Sequence, residues 1–351
     1  MSCSFGEKFR VTIFGQSHSE MIGVVIDGIP AGIKPDTDKI EAFMSRRAPA
    51  NKSYATKRNE ADHFEIVSGI VDGITCGAPL CAVIRNRDAK SGDYEKIKKC
   101  PRPSHADFTA YMKHGGFNDV RGGGNFSGRM TAPLCFAGAI AMQMLEEKGI
   151  FIGAHVDKIA EISDEKFDAV CVSKNDLIKI KEKDFPVINY SAKEKMLAEI
   201  ESARQNDDSV GGRIECAVVG LPVGIGEPIF DGLESEISRA VFSIPAVKGI
   251  EFGSTKNYGS ENNDAFIIDG EVKTETNNHG GILGGLSSGM PVVFSTVIKP
   301  TPSIGQKQKT VNLEKMAESE LEISGRHDPC IVPRAVPCVE AATAIAIINL
   351  I

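Results

Sequence analysis

Apolar and β-branched positions mark 9–14 and 22–26 as strands, and the polar run GQSHSEM between them as a loop. A histidine in such a loop is open to solvent or ligand, whereas one inside a strand would be claimed by the core. Pro and Gly then turn the chain through DGIPAGIKPDTD. An Asp/Thr cap opens a helix over 38–46, which stops ahead of Pro49. Segments 64–71 and 79–84 read as strands, and the charged run 85–103 as loop. The Ala- and Met-rich segment 130–148 is an apolar helix halted at Gly149. Strand character returns at 151–170 and 213–219, and helices are expected at 192–204, 232–242 and, briefly, 314–321. A further strand covers 291–298, and from Arg334 the chain reads as an apolar core helix. GIPAGI at 28–33 is echoed by GLPVGI at 220–225, each after an apolar strand and before a helix. This pairing predicts an internally duplicated architecture.

One stretch fits none of these patterns. From Arg102 to Arg129 the chain reads RPSHADFTAYMKHGGFNDVRGGGNFSGR, with little aliphatic content for a core. The triplet Gly122 to Gly124 lets backbone N–H groups approach an anion closely. Arginines at 102, 121 and 129 offer planar forks suited to carboxylate and phosphate. Arg129 precedes the apolar helix, whose N-terminus favours a bound anion. A second glycine cluster, NNHGGILGGLSSGM, a KPTPS turn at 299–303 and an Arg-His-Asp run at 326–328 lie further on.

Composition narrows the function classes. The 351 residues are 42% hydrophobic and 25% charged, with a net charge of −7. That balance argues against general nucleic-acid or membrane-surface binding, so the arginines form local sites. The nine cysteines are scattered without a CxxC pair, which disfavours a zinc site or disulfide framework. No signal peptide is read at the polar N-terminus, and the apolar C-terminal stretch, interrupted by Pro337 and Glu340, reads as too short for a bilayer span. A cytoplasmic protein is expected. His18, His105, Asp328, Arg47, Arg102, Arg129, Arg326 and Arg334 together suit an enzyme acting on a small, multiply anionic substrate. A metal hydrolase built on His18, His105 and Asp328 has no recognised ligand spacing behind it. P-loop and Rossmann fingerprints are both missing. Residue chemistry alone stops at an anion-handling enzyme.

The motifs GQSHS, RRAP with RNEAD, RPSHADFTAYMKHGGFNDVRGGG, HGGILGG, KPTPSI and GRHDPCIVPRAVP occur in the order of the chorismate synthase family, which the chain resembles over nearly its whole length. The resemblance implies an α+β fold, a β-α-β sandwich with helices between antiparallel sheets. It implies one domain over 1–351 with pseudo-duplicated halves, roughly 9–150 and 151–351. It also implies a 1,4-trans elimination of phosphate from 5-enolpyruvylshikimate 3-phosphate, giving chorismate for aromatic amino acid biosynthesis. The implied cofactor is reduced FMN, and the implied assembly a homotetramer. With no nucleotide-binding domain attached, an external flavin reductant is expected rather than intrinsic use of NADPH.

By the same resemblance, His18, His105 and Asp328 are catalytic. His18 would protonate the departing phosphate, His105 would stabilise charge on the reduced flavin, and Asp328 would assist removal of the ring hydrogen. Ser17, Arg47, Arg102, Arg129 and Arg326 would contact substrate. Asn125, Phe126, Ser127, Ala246, Gly284, Lys299, Pro300, Thr301, Pro302, Ser303 and Arg326 would contact the flavin. No metal is implied. Gln16 and Ser19 depart from the family's usual Glu and Gly, Asn125 and Phe126 from Arg-Ser, and Pro245 from Asn. These departures bear on flavin affinity and leave His18 without an adjacent glutamate.

Overall fold

The computed structural model describes residues 3–49, 52, 54, 62–86, 94–323 and 328–351. Two five-stranded antiparallel sheets frame the molecule. The first runs, edge to edge, Ser4–Phe5, Arg10–Gly15, Met21–Asp27, Leu80–Arg85 and Phe64–Ser68. The second runs Ile162–Ser163, Phe151–Ile159, Gly212–Val219, Val292–Ile298 and Val247–Phe252. In both sheets the last four strands named enter in the same chain order. The two echo segments also leave equivalent places. Gly28 and Gly220 each follow the middle strand with left-handed backbone, at φ +88° and +81°. A side chain at either would collide with a carbonyl, that of Lys8 or of Gly149.

Helices fill the space between the sheets. Asp36 caps Thr37–Arg47 by accepting from the Lys39 N–H at 3.1 Å. That helix packs on Thr131–Glu147, which in turn covers the first sheet. Val332–Leu350 lies against the second sheet, Leu233–Val241 and Thr131–Glu147. Thr131–Glu147 and Val332–Leu350 close on each other because residue 138 is glycine: a Cβ there would sit 2.2 Å from that of Ala341. Val332–Leu350 runs unbroken through Pro337 and is long and apolar enough to cross a membrane, yet 89% of it is buried in the protein core. Its fully buried Glu340 takes a two-pronged bond from Arg46, at 2.5 and 2.9 Å, and accepts from the Ala154 N–H. These bonds tie the first helix to the last and to the second sheet.

Four segments differ from the sequence reading. Residues 314–321 are not helical, because the Asn312 side chain accepts from the N–H groups of Glu314 and Lys315 and bends the chain into a hairpin of Gln308–Asn312 with Ala317–Leu321. Within 85–103, Tyr94–Lys99 forms a helix. Lys174–Lys181 is a further helix, opened by a capping box between Ser173 and Asp176. The strand expected over 151–170 ends at Ile159, followed only by the short Ile162–Ser163. There Asp164 turns inward to accept from the N–H groups of Ile188 and Asn189.

The same aspartate helps to hold His155, which is 0% exposed. The imidazole places Nδ1 3.2 Å from Asp164 and Nε2 2.9 Å from Glu215. Burial opposes its charge, but the two carboxylates outweigh burial and raise its pKa. The folded value therefore lies above an unfolded value of about 6.5. The stabilisation is complete below the unfolded value and is lost as pH rises through the folded one. Urea midpoints of the wild-type protein should fall as pH is raised through that range, and His155→Gln should flatten the fall. Parallel profiles for the two proteins would refute the charged pairing.

Candidate active site

The glycine triplet is the centre of the site. Gly122, Gly123 and Gly124 take φ values of +56°, +86° and +53°, which disfavour any side chain. Their neighbours leave no room for one either. A Cβ on Gly122 would lie 2.4 Å from the His18 ring and 2.6 Å from Ser17 Oγ. On Gly123 it would stand 3.2 Å from the His105 ring, and on Gly124 it would lie 2.3 Å from the Asp119 carbonyl. Successive residues of one loop thus rest against the two histidines.

His18 reaches this position from the turn after Arg10–Gly15. Ser17 donates its N–H to the Gly124 carbonyl at 3.2 Å. Ser19 Oγ accepts from the Gln16 N–H at 2.9 Å, and the Asn86 amide donates to the carbonyls of Gln16 and Ser19. Ser17 and His18 are both buried. The Tyr94 hydroxyl stands 3.0 Å from His18 Nε2, with the two rings edge to face. A carboxylate also lies nearby: Asp119, held below its usual range first by hydrogen bonds from Arg121, is lowered further by the charge of His18.

His105 belongs to a second group. Arg102 grips Asp107 through Nε at 2.7 Å and Nη2 at 2.8 Å, and donates through Nη1 to Ser303 Oγ at 3.1 Å. His105 Nδ1 lies 2.6 Å from Asp107 and 3.1 Å from Arg102 Nη2. The shorter contact, to an anion, assigns the proton to Nδ1. Burial would raise the Asp107 carboxyl, but bonds from Arg102 and His105 hold it far below the ordinary range. The ring is thereby fixed as a donor to Asp107, and Nε2 is left facing Gly123. Lys299 Nζ bonds the Ser104 carbonyl, and the Lys299 N–H bonds the carbonyl of Ala246, itself left-handed at φ +75°.

A third group lies beneath the first. Asp62 binds Arg47 through one carboxylate oxygen and Arg129 through the other, all three side chains being buried. Burial opposes ionisation of Asp62, and the two guanidiniums overcome it and lower its pKa. Arg129 Nε also donates to Asn86 at 3.1 Å, which returns the network to the His18 turn. Arg47 Nε donates to Thr131, while Arg334 joins the Arg47 carbonyl at 2.9 Å to Asp328 at 2.5 Å. Positive charge is dense enough here to act on Lys52. Burial first, then Arg334, Arg46 and Arg47, push its pKa down to about 8.

A family model described as chorismate synthase matches residues 9–351. The chain belongs to the chorismate synthase family. A protein of Dehalococcoides mccartyi named chorismate synthase is 46% identical over 355 residues, covering 100% of this chain and 96% of that one. One of Korarchaeum cryptofilum with the same name is 42% identical over 350 residues, covering 98% and 95%. A crystal structure of a chorismate synthase has a TM-score of 0.76 and covers 99% of this chain and 92% of its own, at 24% identity. At that identity it speaks for the shared fold alone, the sandwich described above.

Within this chorismate synthase fold, hydrogen bonds through Asn86 link the turn that carries Ser17 and His18 to Arg129, Asp62, Arg47 and, by way of Arg334, Asp328. Gly122 and Gly123 rest against His18 and His105, and Arg102 bonds Ser303 beside His105. Arg326 lies outside the described residues, as does most of the basic loop ahead of Asp62. Asn125, Phe126 and Ser127 follow the triplet; Phe126 is exposed, and Ser127 Oγ accepts from the Arg129 N–H. Pro300 to Pro302 connect Lys299 to Ser303. Gly284 stands apart, at the tip of the Ile282–Leu283 and Leu286–Ser287 hairpin, where the next carbonyl accepts from Leu233. The sequence reading gave no role to Asp62, Asn86, Tyr94 or Asp107. Asp62 had a signal, since it closes the RNEAD motif. Asn86 and Tyr94 sit in a charged run and had none.

Proposed function

We propose that this protein carries out the reaction of its family, the 1,4-trans elimination of phosphate from 5-enolpyruvylshikimate 3-phosphate, as a carbon–oxygen lyase. The observation that carries the reading is the pair of histidines held against adjacent glycines amid buried arginines. A phosphate ester bearing carboxylates needs that positive, water-poor setting. Arg47, Arg129 and Arg102 bind and orient it, with Ser17 at the edge of the triplet. Arg326 is proposed for the same task from the motif alone.

His18 is the acid for the departing phosphate, positioned by Tyr94 and by the turn that Asn86 braces. His105, with Nδ1–H committed to Asp107, presents Nε2 to the cofactor side. Asp328, oriented by Arg334, is the carboxylate associated with removal of the ring hydrogen. Reduced FMN, when bound, supplies the electron-rich partner that elimination at an unactivated ring position requires. The residues fit such a group. Thr301 Oγ1 is buried and has no partner among the described residues. The left-handed Gly123 leaves the His105 ring face uncovered by any side chain of its own. Asn125, Phe126, Ser127, Ala246 and Lys299 to Ser303 would hold the flavin. Gly284 joins that set only if its hairpin is brought in from elsewhere, as in the homotetramer proposed here. We also propose two halves, roughly 9–150 and 151–351, a cytoplasmic location and an external flavin reductant.

Anaerobic incubation with the shikimate phosphate ester and reduced FMN should release inorganic phosphate and form chorismate. Flavin binding without phosphate release would instead make the chain a non-catalytic flavoprotein.

A further inference from the structure

Beneath Arg47 lie two sulfur atoms that the elimination does not use. Cys135 and Cys338 stand on the facing helices Thr131–Glu147 and Val332–Leu350, 0% and 3% exposed, with their sulfurs 3.8 Å apart. Their proximity follows from the helix crossing one turn further along, where Gly138 meets Ala341. Both helices also reach the clamp: Thr131 accepts from Arg47 Nε, and Arg334 donates to the Arg47 carbonyl. Cys338 Sγ itself lies 3.5 Å from the Arg334 carbonyl.

We propose that Cys135 and Cys338 are an oxidisable dithiol, closed to an intramolecular disulfide by a small peroxide, and that closure disables the Arg47 clamp. Functional loss rests on the role given to Arg47 above; disulfide formation does not. Cys338 is the attacking sulfur. The bond from Cys135 lowers its pKa, against burial and with help from Arg47. Its thiolate attacks one oxygen of hydrogen peroxide, the O–O bond breaks, and a sulfenic acid forms while the departing hydroxide takes up the proton that the thiol gave up and leaves as water. The Cys135 sulfur then displaces the sulfenic oxygen as a second water. Two S–H bonds and one O–O bond are replaced by one S–S and two O–H bonds. The dithiol loses two electrons, which the peroxide gains. Burial raises the pKa of Cys135, Cys216 and Cys330 alike; what sets the Cys135–Cys338 pair apart is the 3.8 Å between its sulfurs.

A disulfide spans about 2.0 Å, so the sulfurs must approach by nearly half their separation. The helices cannot close at Gly138, where backbone already meets Ala341. The part of the approach that rotation of the two side chains does not supply is a tilt or rotation about that contact, which displaces Thr131 and Arg334 and, with them, Arg47. Cytoplasmic disulfides of this kind are typically transient and redox-sensing.

The test treats the full-length protein with hydrogen peroxide, removes the oxidant, alkylates free thiols and digests without reduction. A peptide linking Cys135 to Cys338 is expected, reversed by dithiothreitol. Oxidation of exposed Cys3, Cys76 and Cys171 without that peptide would overturn the proposal. Phosphate release, assayed after peroxide removal with fresh reduced FMN, should fall by about tenfold or more in the linked form and recover on reduction. Cys135→Ala should keep its turnover through the same treatment. A linked but fully active enzyme would overturn the coupling to Arg47. Protein without activity before oxidation would instead count against the proposed function, while the linked peptide would still decide the dithiol.

Discussion

Asp62→Ala is expected to destabilise the protein by roughly 3–5 kcal/mol, the cost of removing one member of a buried ion-paired group. Its carboxylate is the shared counter-ion of Arg47 and Arg129, neither of which reaches solvent freely. Removal takes from Arg47 and Arg129 the buried carboxylate that they share. That loss is a large share of a total stability of about 5–15 kcal/mol. Asp62→Asn keeps the shape and isolates the charge, and it should recover only part of the loss. Inorganic phosphate should then raise the urea midpoint of both variants more than that of the wild type, because an added anion takes over the neutralisation. Wild-type midpoints in the variants would remove Asp62 from the account of the clamp.

His105→Ala should have the opposite profile, a folded protein that barely turns over. His105 lies on a loop and, among the described residues, bonds within its own group, where Arg102 and Asp107 retain their two-pronged pair without it. A positioned acid–base group contributes about 10²–10⁴-fold to a rate. Phosphate release should fall by about that range, with an unchanged urea midpoint. Turnover at the wild-type rate would end the catalytic assignment. Loss of fold would mean that the ring is structural.

Long periodic segments, turns and the unusual glycine–arginine stretch were legible before the fold was known. The four core helices, the strand pairs and the echo at 28–33 and 220–225 all rest on local patterns. So does the suspicion attached to Gly122 to Gly124, because three consecutive glycines serve no packing role. Tertiary partners were harder to see. Asp62 reads as one more charge in a basic loop until Arg47 and Arg129, distant in sequence, are seen on its two oxygens. Tyr94 belongs to a six-residue helix too short to show a period. Residues 314–321 looked helical because their side-chain pattern is ambiguous, and only Asn312 bending the backbone decides for the hairpin. The glutamate that the resemblance would place beside His18 is absent, yet Asp119 lies close enough for the charge of His18 to lower its pKa.

Because Gly122 and Gly123 are joined by a single peptide bond, the two histidines share one mechanical support. A shift of that peptide moves the floor under both rings at once. Improvement at one ring by redesign of the loop would therefore disturb the other. Paired substitutions at residues 18 and 105 should then depart from multiplicative rate effects, and laboratory evolution would find it easier to change the walls of this site than its floor.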